Sequence, residues 1–142
     1  MKKIQLTLIM ILMGTVISLA QTNSDKAVKA VAKKFVKAAD VQDPEMLASV
    51  LYEDALQFVL FGPKVMKSTG SEYVEMIKAK KLGGVPRTVS FKHVAVQEDD
   101  TATVSLEAVS SEYHFIYHLN LFKVAGEWKL YTINTRVNPV NG

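Results

Sequence analysis

The last third of the chain does most to limit the fold. From Arg87 to Val137, four runs of period two follow one another across short connections. "TATVSLEAV" is the clearest: Ala102, Val104, Leu106 and Ala108 alternate with Thr101, Thr103, Ser105 and Glu107. Such a run is a strand that gives one face to a core and the other to water. "RTVSFKHVAV" precedes it across the acidic turn "QEDD". "EYHFIYHLNLFKV" follows a turn at Ser110-Ser111, and "EWKLYTINTRV" follows Ala125-Gly126. Parallel neighbours need a long crossover, so short connections commit these strands to antiparallel pairing. One face of that sheet then needs a cover.

The cover is upstream. "TNSDKAVKAVAKKFVKAAD" reads as a helix capped by Ser24, with Val28, Val31, Ala32, Phe35 and Ala39 on one side. Lys29, Lys33, Lys34 and Lys37 fill the other side and read as a solvated face. "VQDPEMLASVLYEDA" holds a short helix with Asp43 as cap and Pro44 at its first position, burying Met46, Leu47, Val50 and Leu51 and ending at Asp54. "ALQFVLF", Gly62-Pro63 and "KVMKS" read as a hairpin. "TGSEYVEMIKAKK" is a third helix. Thr69 and Glu72 are spaced as a capping box, Tyr73, Val74, Ile77 and Leu82 form its stripe, and Gly83-Gly84 stop it. Helices gathered on one side of an antiparallel sheet make an α+β layer architecture.

The N-terminus reads as a targeting segment. Lys2 and Lys3 precede the apolar run "IQLTLIMILMGTVISLA", and Ser18-Leu19-Ala20 supplies small residues for cleavage. Residues 1–20 are therefore expected to be a signal peptide and residues 21–142 a single domain, with no stable membrane span after cleavage. The chain carries 17 basic and 14 acidic residues; losing Lys2 and Lys3 leaves 15 against 14. A domain so nearly neutral offers no electrostatic case for nucleic-acid binding. The chain has no cysteine, which excludes disulfides, zinc-thiolate sites and thiol nucleophiles. Export without disulfides suits a bacterial envelope protein, periplasmic or secreted.

Three stretches resemble one known family. "QDPEMLASVLYEDA" has a short helix running to an Asp-Ala pair, "DDTATVSL" has an acidic turn before an alternating strand, and "NLFKVAGEWKL" has a Gly turn between its last strands, with a Trp in the second. Together they resemble the nuclear transport factor 2-like superfamily, and within it the exported bacterial lumazine-binding branch, with SnoaL-like proteins as relatives. The likeness runs from about Lys26 to Val137. It implies a cone-shaped, cystatin-like roll: three N-terminal helices on a curved, mainly antiparallel sheet. The superfamily holds isomerases, dehydratases and hydrolases as well as non-catalytic binding proteins, so fold alone does not choose.

"EYHFIYHLN" places His114 and His118 four residues apart. On a helix they would share a metal; on a strand they stand about 13 Å apart and cannot. No metal site is assigned. The alternation instead puts Tyr113, Phe115, Tyr117, Leu119 and Leu121 on the core face, where a cone fold opens a pocket. Tyr113 and Tyr117 are expected to line a ligand cavity floored by Trp128, with His93 joining through a cross-strand pairing with Tyr117. Ile116, Phe122, Tyr131, Ile133 and Phe91 are expected on the outer face as a patch for a homodimer. Glu107, Asp40, Asp43, Asp54 and Glu127 look like polar-face, helix-end or turn residues without acid–base partners, so no catalytic residue and no cofactor is assigned. The favoured reading is a non-catalytic binder of a small apolar or aromatic ligand, or of a partner. The alternative is a small SnoaL-type isomerase, dehydratase or hydrolase.

Overall fold

The computed structural model describes residues 23–141; the signal-peptide reading falls on residues 1–20, outside that range. Helix α1 covers residues 23–40. It is followed by α2 (Pro44–Val50), β1 (Leu51–Phe61), β2 (Lys64–Thr69) and α3 (Gly70–Lys78). Four strands complete the domain: β3 (Thr88–Gln97), β4 (Thr101–Val109), β5 (Tyr113–Val124) and β6 (Glu127–Pro139). The sheet order is β2-β1-β6-β5-β4-β3. Among the described residues only the β1–β6 pair is parallel, because the last strand inserts beside the first hairpin instead of adding to an edge. This is the α+β roll expected from the sequence. Among the described residues, no helix is long and apolar enough to cross a membrane.

Capping chemistry fixes the helix starts. The Asp43 side chain accepts from the Met46 N–H at 2.9 Å, and Pro44 takes the first turn. Thr69 and Glu72 form the expected box: Thr69 Oγ1 accepts from the Glu72 N–H at 3.1 Å, and Glu72 Oε2 from the Thr69 N–H at 3.0 Å.

Three expected boundaries shift. Helix α1 already runs through Ser24, which is not its cap. Helix α2 ends at Val50, and Tyr52 to Asp54 belong to β1. Helix α3 ends at Lys78, well before Gly83-Gly84. There Lys80, at φ 57°, takes the left-handed position, and the Lys81 N–H bonds the Met76 carbonyl at 3.0 Å to close the helix.

The helices and the inner sheet face enclose one core. Val28, Ala32, Phe35 and Val36 of α1 meet Val104, Leu106, Leu119, Leu121, Leu130 and Ile133, all essentially solvent-free. Each large side chain so buried contributes roughly 1.5–3 kcal/mol.

Two bulges reset the alternation. The β5–β6 register steps from Asn120↔Thr132 to Leu121↔Leu130, leaving Tyr131 as the extra residue. Ile133 therefore faces the core at 1% exposure and leaves the expected outer patch. The β3–β4 register skips Lys92, so Phe91 stands opposite Leu106 on the inner side, and His93 opposite Ser105 on the outer. Phe91 is covered by α1, with the Lys29 and Lys33 ammonium groups 5.6 and 5.8 Å from its ring centroid. Ile116, Phe122 and Tyr131 do remain on the outer face, the last two stacked at 4.6 Å.

Candidate functional site

The open end of the roll is built where the chain leaving α3 doubles back under α1. Gly83 and Gly84 take φ +79° and +86° there, and the Gly84 N–H bonds the Ala39 carbonyl at 3.0 Å. A Cβ on Gly83 would fall on that same carbonyl oxygen, so only glycine allows the approach. The approach delivers Arg87 to the C-terminal end of α1.

Arg87 uses its whole donor fork. Its Nε donates to Asp40 Oδ1 at 2.6 Å and its backbone N–H to Asp40 Oδ2 at 3.0 Å. Its Nη1 donates to the Tyr117 hydroxyl at 2.5 Å and its Nη2 to the Val36 carbonyl at 3.0 Å. The Arg87 and Asp40 side chains are 6% and 10% exposed, burial that an ion pair tolerates only when its remaining donors and acceptors are satisfied. The guanidinium carbon also lies 4.7 Å from the Phe115 ring centroid. A planar, multidentate and stacked role of this kind suits arginine and not lysine.

The network sets the protonation of its neighbours. Burial raises the Tyr117 hydroxyl above the ordinary tyrosine range, and the Arg87 charge and hydrogen bond only partly oppose it. Tyr73 is raised as well, by burial first and by Tyr117 second. For Arg87 burial pulls downward, but Tyr117 and Asp40 outweigh it and the group stays cationic.

In front of this network lies a cavity of about 380 Å³. Val59, Phe61 and Met66 form one wall, and Leu82 and Val85 the lip. Tyr113, Phe115 and Tyr117 form the opposite wall, with the Phe115 and Tyr117 rings 8° from parallel. Tyr113 meets Phe61 edge-on at 6.0 Å and closes the aromatic rim. Gln57 and Thr135 also face the cavity, and both are buried.

Tyr113 and Tyr117 thus stand where the sequence places them, on the cavity wall. Trp128 does not. The Ala125-Gly126 turn sets it opposite Lys123, while Tyr113 lies opposite Pro139. Ten residues of strand separate the two positions, about 33 Å. His93 does not join either: it is exposed on the outer face, whereas Tyr117 pairs through Leu106 with Phe91 on the inner face. His114 Nε2 lies 3.2 Å from Glu107 Oε2 without a hydrogen bond among the described residues, and His118 Nδ1 lies 3.0 Å from Ser105 Oγ, so the two histidines share no partner.

Sequence reasoning missed Arg87, Gln57 and Thr135, and took Asp40 for a helix-end residue only. One signal was present: Arg87 is one of two arginines among 17 basic residues, and a chain that otherwise uses lysine spends arginine where a fork is needed.

Comparisons with known proteins agree with this architecture. A nuclear transport factor 2-like protein of unknown function from Silicibacter pomeroyi superposes with a TM-score of 0.74 at 16% identity, over 83% of this chain and 98% of its own. A cystatin-like fold protein from Burkholderia xenovorans gives 0.66 at 18% identity, over 82% and 93%. A ketosteroid isomerase-like protein from Erwinia carotovora gives 0.64 at 17% identity, over 80% and 95%. At such identities the likeness shows the fold alone. No curated protein matches the chain. A family profile does match it, over residues 23–133. The fold is thus like that of nuclear transport factor 2-like proteins, and the chain belongs to the matched family, described as "Putative lumazine-binding".

Proposed function

We propose that the protein holds a small, flat, largely apolar molecule in the cavity between β1, β5 and β6 and performs no reaction on it. The observation that carries this reading is the state of Asp40. A carboxylate does face the cavity, as an enzyme of this fold would need, but Arg87 engages both of its oxygens. It is an ion-pair partner and not a free base. Glu112, the other carboxylate at the cavity, is exposed on the rim. The aromatic wall suits ring stacking, and the volume falls in the range of small-molecule sites. The family's description names lumazine, a flat bicyclic heterocycle, which agrees with a site of this shape.

Export to the bacterial envelope is part of the proposal and rests on the N-terminal sequence. Homodimerisation through the outer sheet face is also part of the proposal and rests on the apolar residues there, where Ile116, Phe58 and Leu60 line an open depression; a clean monomer on sizing at micromolar concentration would remove it.

The test is native mass spectrometry after gentle purification, with thermal-shift screening across a metabolite panel. A co-purifying small molecule, or stabilisation by flat heterocycles, is expected. Repeated absence of both overturns the reading. Turnover of a bound heterocycle, lost in Asp40→Asn with binding intact, would favour the SnoaL-type enzyme instead.

A further inference from the structure

One step in the cavity wall is polar and unused. Gln57 and Thr135 are 8% and 6% exposed, and Gln57 Oε1 and Thr135 Oγ1 have no hydrogen-bond partner among the described residues. Buried polar atoms in native proteins are almost always paired, so an orphan needs an explanation. The strand registers show that these two belong together. On the parallel β1–β6 pair, Gln57 stands opposite Ile133 and Val59 opposite Thr135, which makes Gln57 and Thr135 diagonal neighbours on the inner face. Thr135 in turn stands opposite Tyr117 on β5, whose hydroxyl is held by Arg87. A polar strip therefore crosses the cavity from Gln57 through Thr135 to Tyr117, with apolar Val59 and Val137 beside it.

We infer that Gln57 and Thr135 are the specificity determinants of the cavity and read the amide edge of a cyclic lactam or imide. The inference rests on the binding reading above and names the ligand class. A primary carboxamide presents a C=O acceptor beside an N–H donor. Its complement is a ring edge carrying N–H beside C=O, which forms two hydrogen bonds at once. The Thr135 hydroxyl both donates and accepts, and it serves the next carbonyl or ring nitrogen. The ring itself lies along Phe115 and Tyr113. A ligand of the same outline without the N–H leaves the buried groups unpaired, and a site built this way rejects it strongly.

Calorimetric titration of the purified protein tests this with three bicyclic probes. Lumazine carries the free N–H/C=O edge, its ring-N,N′-dimethyl derivative has that edge blocked, and quinoxaline has neither group. Lumazine is expected to bind about 10- to 100-fold tighter than either of the others. Gln57→Leu, of similar volume, should erase the preference for lumazine over the dimethyl derivative. A purely steric preference would survive that substitution. Thr135→Val, a second and milder variant, should reduce the preference without abolishing binding. Equal affinity for all three probes overturns the edge-reading assignment and leaves the cavity as a binding site. The same holds for a preference unchanged in Gln57→Leu. Failure of every probe to bind overturns the lactam or imide assignment, while the binding reading falls only if co-purification and the metabolite panel fail as well.

Discussion

Arg87 donates from Nη1 to the Tyr117 hydroxyl at 2.5 Å while its Nε holds Asp40 at 2.6 Å, so one side chain ties the sheet to the end of α1. Removing one member of such a pair strands a buried charge. Asp40→Asn or Arg87→Met is expected to cost about 3–5 kcal/mol in urea unfolding. The double variant Asp40→Leu/Arg87→Met should recover much of that loss, because it leaves no orphan charge. If the two single losses simply add in the double variant, the pair is not a coupled unit.

Gly83 makes this geometry possible, and its substitution should show it. Gly83 and Gly126 have nearly the same φ, +79° and +81°. A Cβ at Gly126 meets nothing within 4 Å, whereas one at Gly83 meets the Ala39 backbone. Gly126→Ala should cost about 1–2 kcal/mol, the left-handed penalty alone. Gly83→Ala should cost about 3 kcal/mol or more, because the backbone must also move. Equal losses in thermal unfolding would mean that the α1 contact carries nothing.

These residues show where the sequence was legible. Period and turn spacing specified the strands because side-chain direction in a strand is local. Capping boxes are local too, and Thr69/Glu72 and Asp43/Pro44 were readable in full. The bulges at Lys92 and Tyr131 were not, since an extra residue leaves no compositional mark, and each inverted the faces beyond it. The displacement of Trp128 was readable in principle. A tight turn at Ala125-Gly126 forces Trp128 opposite Lys123, far from Tyr113, whatever the fold. The Arg87–Asp40 pair was beyond reach because it spans 47 positions and depends on how a loop lies under a helix.

Gln57 offers a prediction that is independent of any ligand. An unpaired buried acceptor costs about 1–3 kcal/mol, and replacing it with an apolar group of similar size returns that cost. Gln57→Leu should therefore raise the melting temperature of the ligand-free protein. Stability traded for a polar group in this way is typical of a binding site. A lower melting temperature would mean that Gln57 is already satisfied, by ordered water, in the empty protein.

The buried tyrosines give a pH dependence of known sign. Burial raises Tyr73 and Tyr117 above the ordinary value of 10.0, so the folded protein holds these protons more tightly than the unfolded chain. Their contribution is fully present below pH 10 and is lost as pH rises from there toward the folded values. The loss approaches about 1.4 kcal/mol per pH unit for each tyrosine once the unfolded chain ionises. Wild type alone would not isolate the effect from the rest of the chain. The comparison with Tyr73→Phe does, because Phe binds no proton in either state. Between pH 9 and pH 11 the variant should lose about 1.4 kcal/mol less than wild type in urea unfolding. Parallel curves would mean that Tyr73 ionises as readily folded as unfolded, and that solvent reaches the hydroxyl beside the Arg87 network.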